Sequence, residues 1–200
     1  MRAPPDRFVA GLVLAAGGSS RLGRPKQLLP YRGGTLLDSV LETARASAFD
    51  QLLVTLGGAA DDVRAAVDLS GADVVVNAAY GSGCSSSIAA ATSALDPRCD
   101  LLVLLLGDQP GVSSRAVRAV VAGRGDARIA VCAYSDGRGH PFAFARSSFR
   151  ELSGLQGDKA VWKLLEHRAD EVVDVPVEGP VPRDVDTWKD YDAVVAAAGQ

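Results

Sequence analysis

The stretch Leu12 to Lys26, LVLAAGGSSRLGRPK, decides how the rest of the chain is interpreted. It lies at the end of an apolar run, residues 8–16, that is typical of a β-strand and stops at two glycines. Glycine lets backbone N–H groups approach an anion, and hydroxyl and cationic side chains add donors and charge. The stretch therefore predicts a phosphate-binding loop whose polar members are Ser19, Ser20, Arg21, Arg24 and Lys26.

The same stretch has a simpler interpretation, a glycine-rich turn whose charges are only solvated. Two well-known phosphate loops do not fit it. Gly18 and Gly23 have the spacing of a Walker A loop, but Arg24 and Pro25 stand where that loop needs Lys and Ser or Thr. No G-x-G-x-x-G follows the strand, which argues against a dinucleotide-binding turn.

Composition favours one domain that spans residues 1–200. The chain has 200 residues, of which 48% are hydrophobic, and this is enough for one well-buried core. A net charge of −3 provides no basic field for nucleic acid. We therefore expect a local phosphate site and no nucleic-acid partner.

Cysteine usage and hydropathy favour a cytoplasmic location. Residues 1–7 contain no long apolar stretch of the kind found in signal peptides, and the longest aliphatic run, residues 101–106, is too short to cross a bilayer. The cysteines are odd in number and lack metal-type spacing, as expected of reduced thiols: Cys84, Cys99 and Cys132. We expect a soluble protein with no membrane partner.

Strand-like segments alternate with helical periodicity along the chain. Strands are expected over residues 8–16, 51–56, 72–76, 101–106, 128–134 and 171–175. Helices are expected over residues 35–48, 61–67, 88–95, 113–122, 146–152, 158–167 and 187–198, with Thr35 and Asp158 as caps and a turn over 136–140. The alternation predicts an α/β fold with a doubly wound, mostly parallel open sheet in a three-layer α/β/α arrangement.

Open parallel sheets bind ligands beyond the carboxyl ends of their strands, and a second unusual loop follows a predicted strand. Residues 78–87, AAYGSGCSSS, come after Asn77 and place serines at a helix N-terminus. The free N–H groups and the helix dipole there favour polar or anionic ligands. The alternative is that the serines only cap the helix.

Acidic residues stand at two further places. A carboxylate directly after residues 101–106, as in Asp108, is poorly solvated unless a cation meets it, and magnesium shared with a polyphosphate would do so. Asp184 and Asp186 lie on one side of an extended segment and offer a second carboxylate. The alternatives are a solvated turn aspartate at Asp108 and helix capping by Asp186 or Thr187.

The opening stretch matches the pattern L-A-A-G-x-S-x-R-x-G-x-x-K at every specified position from Leu14 to Lys26. It resembles the MobA-like nucleotidyltransferases and, within them, the branch that includes molybdenum cofactor cytidylyltransferases. The resemblance implies a Rossmann-like fold of the nucleotide-diphospho-sugar transferase type and a Mg²⁺-dependent transfer of CMP from CTP. It also implies a nucleotide-binding set made of Leu14, Ala15, Ala16, Gly17, Gly18, Ser19, Arg21 and Lys26.

Two further elements carry the resemblance. Residues 107–110 resemble a G-D-x-P element whose aspartate binds magnesium, and residues 184–187 resemble a D-I-D-T element whose second aspartate joins the metal site. Lys26 is then expected to neutralise charge at the α-phosphate, and Arg21 to hold the leaving β- and γ-phosphates. The implied catalytic residues are Lys26, Arg21 and Asp108, and the implied metal ligands are Asp108 and Asp186.

The second loop is expected to select the base. Its glycine-then-serine arrangement resembles that of isoprenoid-pathway cytidylyltransferases, which implies that Gly81 approaches the base and Ser87 bonds its edge. Asn77 completes this part of the nucleotide site. A pyrimidine is favoured, but a guanine reader of the same fold has a similar first loop, so GTP stays an alternative donor.

The acceptor side resembles the branch in two segments. Residues 139–142 resemble a G-H-P segment, which implies that His140 and Pro141 contact the acceptor; a turn histidine is the alternative. Asp158 lies in the start of a G-D-x-G-A-R element, whose last three positions are replaced here by residues 160–162. Trp162 in that segment either stacks on a flat ring of the acceptor or only packs its helix.

The implied partners are a nucleoside triphosphate, a small phosphorylated acceptor such as molybdopterin, and a molybdenum enzyme that would receive the product. Three alternatives remain: nucleotidyl transfer to another small phosphate, an NAD(P)H-dependent oxidoreductase on the same scaffold, and a non-catalytic carrier of a pterin cofactor. The missing dinucleotide fingerprint argues against the oxidoreductase. A carrier has no need of Lys26 beside two metal carboxylates.

Overall fold

A computed structural model describes residues 7–19 and 21–199. The strands are β1 Val9–Ala15, β2 Pro30–Tyr31, β3 Gly34–Thr35, β4 Gln51–Leu56, β5 Asp73–Val76, β6 Leu101–Leu106, β7 Ile129–Tyr134, β8 Gly137–Ala145 and β9 Val172–Pro176. Seven of them form one sheet in the order β5-β4-β1-β6-β8-β7-β9, in which β8 alone runs antiparallel to its neighbours. The short strands β2 and β3 pair as a separate hairpin.

Helices cover both faces of this sheet. They are α1 Leu36–Arg45, α2 Ala60–Ala66, α3 Cys84–Thr92, α4 Ser114–Gly123, α5 Phe149–Ser153, α6 Ala160–His167 and α7 Trp188–Ala198. Apolar residues of α1, α2 and α4 pack in one buried cluster, and those of α3, α5 and α6 pack in another. The strands contribute to both clusters, because alternate side chains point to opposite faces. The predicted three-layer, mostly parallel α/β fold is confirmed.

A third apolar cluster lies beside the sheet and brings together two distant segments. It contains Val185, which is fully buried, together with Leu22 and Leu29 from the segment after β1. Tyr191 and Val194 of α7 pack against it. Burial of Val185 therefore holds the two flanking aspartates close to the loop that carries Lys26.

Three local predictions are corrected. Helix α3 begins at Cys84, so the serines lie within its first turns and not before it. The segment expected as a turn over 136–140 belongs mostly to β8, which begins at Gly137 and pairs with β7. Asp158 does not cap α6, whose N-cap is Lys159. The Asp158 carboxylate accepts the N–H of Cys84 and so serves α3.

Candidate active site

The loop after β1 is shaped by Ser19. Its backbone has φ of 50°, and its hydroxyl oxygen accepts the backbone N–H of Lys26 at 2.9 Å. Its carbonyl accepts the N–H of Leu22 at 3.0 Å. Ser19 therefore organises the loop that presents Lys26, while the exposed Gly17 and Gly18 precede it. Ser20, also predicted to donate a hydroxyl, lies outside the described residues.

Gln27 is a residue of this loop that sequence reasoning missed. It is 3% exposed, and its amide nitrogen donates to the carbonyl of Ala15 at 2.6 Å and to that of Gly17 at 3.1 Å. These bonds tie the residue after Lys26 back to the end of β1. The available signal was a polar residue between Lys26 and the apolar pair Leu28 and Leu29.

Lys26 is the point at which the predicted charged residues meet. Its ammonium donates to a carboxylate oxygen of Asp108 and, at 2.9 Å, to one of Asp186. The Arg21 guanidinium pairs with the other oxygen of Asp186, also at 2.9 Å. The side chains of Lys26 and Asp108 are 15% and 13% exposed, whereas that of Arg21 is 64% exposed. The three residues predicted to share one ligand therefore lie together.

Electrostatics keep this group charged. Burial by itself would lower the pKa of Lys26, but the charges and hydrogen bonds of Asp108 and Asp186 outweigh it and raise that pKa. Burial by itself would raise the pKa of Asp186, but Lys26 and Arg21 hold it below its ordinary value. At neutral pH, Lys26 is therefore a cation and Asp186 an anion.

The two aspartates of the 184–186 segment have different partners. Asp184 accepts a hydrogen bond from the side-chain amide of Gln109, whose nitrogen also donates to the carbonyl of Pro182 at 3.0 Å. The backbone N–H of Val185 donates to the carbonyl of Asp108 at 3.1 Å. Burial, followed by the negative charge of Asp108, raises the pKa of Asp184 to about 6. Thr187 caps α7, which leaves Asp186 free to contact Lys26.

The carboxylates of Asp108 and Asp186 fit a hard divalent cation. Both contact one ammonium nitrogen, so oxygens from two distant segments converge on a single positive charge. Magnesium and manganese prefer oxygen ligands, and magnesium is usually bound through one or two carboxylates together with substrate phosphates. Within the described residues, no group of three or more His, Cys, Asp or Glu side chains could hold a metal by itself. The donor set therefore suits a metal that arrives with a polyphosphate.

The second loop is held by Asn77, which is 5% exposed. Its amide nitrogen donates to the hydroxyl of Ser86 at 2.8 Å and to that of Ser87 at 3.0 Å, and its carbonyl oxygen accepts the N–H of Ala79 at 2.9 Å. The amide thus joins the end of β5 to the start of α3. Gly81 is exposed, and a Cβ atom added to it would meet nothing within 4 Å. This open space is compatible with close approach by a ligand.

The predicted acceptor residues lie in a different environment. His140 is 7% exposed and stacks on Phe142 with ring centroids 4.0 Å apart. Burial lowers the pKa of His140 to about 3, so its imidazole is neutral at physiological pH and is available as a hydrogen-bonding group but not as a cation. Pro141 follows it in β8 and is also buried.

Trp162 of α6 completes an aromatic cluster with these two rings. It is 39% exposed and meets Phe142 edge to face at 5.2 Å. Trp162 and His140 both line a cavity of about 1340 Å³ that extends past Gln109 and Asp184. Asp158, in contrast, contacts the second loop through the Cys84 N–H at 3.1 Å. The structure thus groups two of the predicted acceptor side chains and places Asp158 apart from their cluster.

Comparison with known proteins identifies the family of this chain. Residues 11–172 match the model of the family described as the MobA-like NTP transferase domain. The chain belongs to this family. The matched region contains Lys26 and Asp108 but ends before Asp186. Membership of the MobA-like family makes the protein a nucleotidyltransferase.

Two relatives of this MobA-like chain carry names of different kinds. Nicotine blue oxidoreductase from Paenarthrobacter nicotinovorans is 39% identical over 66% of the chain and 69% of that protein. Purine catabolism protein PucB from Bacillus subtilis (strain 168) is 30% identical over 97% of the chain and 98% of that protein.

Solved structures of similar proteins include one with a metal. The Rv0371c homologue from Mycobacterium sp. strain JC1 is 48% identical with a TM-score of 0.90, covering 96% of this chain and 97% of that one. Rv0371c of Mycobacterium tuberculosis, solved as a complex with manganese, is 46% identical with a TM-score of 0.87, covering 95% of this chain and 99% of that one.

The structure also bears on membrane association. Among the described residues, no helix is both long enough and apolar enough to span a bilayer.

Proposed function

We propose that the protein is a magnesium-dependent cytidylyltransferase that transfers CMP from CTP to the phosphate of a small acceptor and releases pyrophosphate. The acceptor we favour is molybdopterin cofactor, whose dinucleotide form would pass to a molybdenum enzyme. The observation that carries the proposal is the contact of the Lys26 ammonium with both Asp108 and Asp186. These charges belong to three separate segments, and a metal-bound triphosphate is a ligand that uses all of them.

In the proposed reaction, an oxygen of the acceptor phosphate attacks the α-phosphorus of CTP. The bond between the α-phosphorus and the oxygen that bridges to the β-phosphate breaks, and pyrophosphate leaves. Lys26 neutralises the charge that grows on the α-phosphate, and Arg21 holds the β- and γ-phosphates. Such chemistry depends on positioning and charge neutralisation, so a covalent nucleophile is not needed.

Asp108 and Asp186 would hold the metal in this mechanism. A bound Mg²⁺ ion supplies charge neutralisation and orients the phosphates. Backbone N–H groups in the stretch from Ala16 to Ser19 would donate to phosphate oxygens, because this stretch follows the carboxyl end of β1, where ligands of such sheets bind. The chain's own contribution is therefore a fixed set of charges and donors around the triphosphate.

Base selection is assigned to the loop after β5. Gly81 offers open space for a base, and Ser87 is buried and fixed by Asn77. A hydroxyl fixed in this way can bond the edge of a base with little loss of side-chain freedom. The small pyrimidine ring of CTP is our preferred ligand, and GTP is the alternative.

The assay that tests the proposal measures pyrophosphate release from CTP, GTP, ATP and UTP, each with molybdopterin and magnesium. We expect CTP to give the highest kcat/KM and chelation of the metal to abolish release. Fastest release from GTP would instead identify a guanylyltransferase. Absence of release from all four nucleotides would contradict the proposal.

One relative supplies a specific reason to test a second function. Nicotine blue oxidoreductase shares 39% identity with the chain over 141 residues. If this protein were an oxidoreductase, it would oxidise NADH or NADPH in the presence of a dye acceptor. We expect no change in absorbance of either reduced cofactor.

A further inference from the structure

Tyr80 lies where three loops meet at the carboxyl edge of the sheet. It begins the turn Tyr80–Ser82 after β5 and is 39% exposed. Its ring lies along Gly57 and Gly58, which follow β4. A Cβ atom on Gly57 would be 2.9 Å from Tyr80 Cγ, and one on Gly58 would be 2.4 Å from the Tyr80 hydroxyl oxygen. The two glycines therefore provide the space that the tyrosine ring fills.

The same ring lies beside the phosphate loop. A Cβ atom added to Gly18 would lie 3.9 Å from Tyr80 Cε2, so the space of a methyl group separates the ring from Gly18. Tyr80 is also the residue before Gly81, and the loop that carries both is fixed by the hydrogen bond from the Ala79 N–H to the Asn77 side chain. One side chain of the loop after β5 thus packs against the loop after β4 and faces the loop after β1.

We propose that Tyr80 is a positioning residue that sets the distance between the base-selecting loop and the phosphate loop. This inference rests on the proposed function, in which the two loops bind the base and the triphosphate of one nucleotide. A tyrosine ring is rigid, and holding two binding subsites in place before the ligand arrives reduces the entropy lost on binding. Tyr80 therefore raises the affinity for a complete nucleotide more than for a triphosphate alone.

The test compares CTP with magnesium tripolyphosphate, a competitive inhibitor that lacks the base and the sugar. In Tyr80→Ala, we expect the KM for CTP to rise about tenfold and kcat to stay within about twofold, because ground-state and transition-state binding are weakened equally. The inhibition constant of tripolyphosphate should not change. An equal rise for CTP and tripolyphosphate would overturn the inference, since the ring would then support the phosphate loop alone.

Gly58→Ala disrupts the packing of Tyr80 against the loop after β4 by changing the glycine and not the tyrosine. The added methyl group occupies the position of the ring, so we expect a rise in the KM for CTP similar to that of Tyr80→Ala. The double variant Gly58→Ala/Tyr80→Ala should be no worse than Tyr80→Ala, because the clash is gone. Effects that multiply in the double variant would refute the coupling. Tyr80→Phe retains the ring and should keep a KM close to that of the wild type.

Gly154→Ala is the matched control. Its φ is −94°, and a Cβ atom there would make only ordinary contact, at 3.6 Å or more. We expect its kinetics to equal those of the wild type. If thermal unfolding shows that Tyr80→Ala is not folded, the role of Tyr80 is tested by comparing Gly58→Ala with Gly154→Ala. Equal KM values for CTP in these two variants would reject the inference.

The outcomes for the two proposals are separable. A wild-type protein that releases no pyrophosphate from any nucleotide contradicts the proposed function. If the wild-type protein is active but Tyr80→Ala weakens the binding of CTP and of tripolyphosphate equally, only the role of Tyr80 is contradicted. Calorimetric titration of both ligands provides the same comparison without turnover.

Discussion

The candidate site has two sides that differ in the chemistry of their side chains. We propose that the phosphate side, Lys26, Asp108 and Asp186, binds the triphosphate, and that the acceptor side, His140, Phe142 and Trp162, binds the acceptor. On the phosphate side, one ammonium contacts two carboxylates. On the acceptor side, the rings of His140, Phe142 and Trp162 pack against each other, and the imidazole is neutral. The first side suits a polyanion with a metal, and the second suits a flat, weakly charged group.

This difference separates residues whose role does not depend on the substrate from residues that determine which acceptor binds. The triphosphate carries the same charge in every nucleoside triphosphate, whichever acceptor is used. The residues that neutralise this charge therefore need not change with the substrate. An aromatic surface distinguishes ligands by shape and polarity, and the segment over residues 160–162 departs from the cytidylyltransferase pattern on that side. We therefore expect substitutions on the phosphate side to reduce turnover, and substitutions on the acceptor side to change the preference for acceptors.

The largest effect is expected for Asp108→Asn. The amide cannot replace the charge that holds a metal, so kcat should fall roughly a thousandfold, which corresponds to several kcal/mol of transition-state stabilisation. Pyrophosphate release under saturating CTP and magnesium measures it. Asp61→Asn, at a fully exposed carboxylate on α2, is the control and should keep full activity. A loss below tenfold in Asp108→Asn would show that this carboxylate does not hold the metal.

Lys26→Ala should have the next largest effect. Removal of one group that stabilises transition-state charge costs about 10²–10³ in kcat. Binding of CTP should stay measurable by calorimetry, because glycine N–H groups and the metal still contact the phosphates. Lys163→Ala, at an exposed lysine on α6, tests whether loss of any positive charge has the same consequence. Unchanged turnover in Lys26→Ala would refute the role of this lysine.

The phosphate side was largely predictable from the sequence. Lys26, Asp108 and Asp186 each follow a strand or precede the last helix, and strands of a parallel sheet end at the same edge. The parallel pairing of β1 with β6 brings the ends of these strands together, and the Gly107 N–H donates a hydrogen bond to the carbonyl of Leu14. What could not be derived was the role of Val185, whose burial holds Asp186 close to Lys26.

The acceptor side was less predictable, because its geometry depends on an antiparallel strand. The expected turn over residues 136–140 is mostly part of β8, and this places His140 in the sheet and not in a solvated turn. Stacking of His140 on Phe142 is an i, i+2 contact on one face of that strand. Contact with Trp162 joins residues from separate elements, and no local pattern specifies it.

A pH experiment tests the neutral character of the acceptor side. The pKa of His140 is about 3 in the folded protein and about 6.5 when unfolded, so between these values the unfolded chain binds one more proton. The free energy of unfolding should therefore fall as the pH falls below 6.5, and His140 should account for about 2 kcal/mol between pH 7 and pH 5. Urea unfolding at both pH values measures this.

His140→Gln should reduce the difference in stability between the two pH values by that amount. The matched control is His167→Gln at the other, exposed histidine, which should leave the difference unchanged. An identical pH dependence in His140→Gln and the wild type would mean that the imidazole becomes protonated in the folded protein and that the acceptor side carries charge.

The smallest effect, and the most specific to the acceptor, is expected for Trp162→Ala. If the indole stacks on a flat ring of the acceptor, its removal should raise the KM for molybdopterin about tenfold, which matches the strength of one aromatic contact. The KM for CTP should not change, because the nucleotide is bound by other loops. Trp162→Phe should recover most of the loss, and Trp188→Phe, at a tryptophan that packs against Tyr191, should have no effect. An unchanged KM for molybdopterin in Trp162→Ala would mean that the indole only packs α6 against Phe142. Any preference of the acceptor side for a flat ring would then depend on His140 alone.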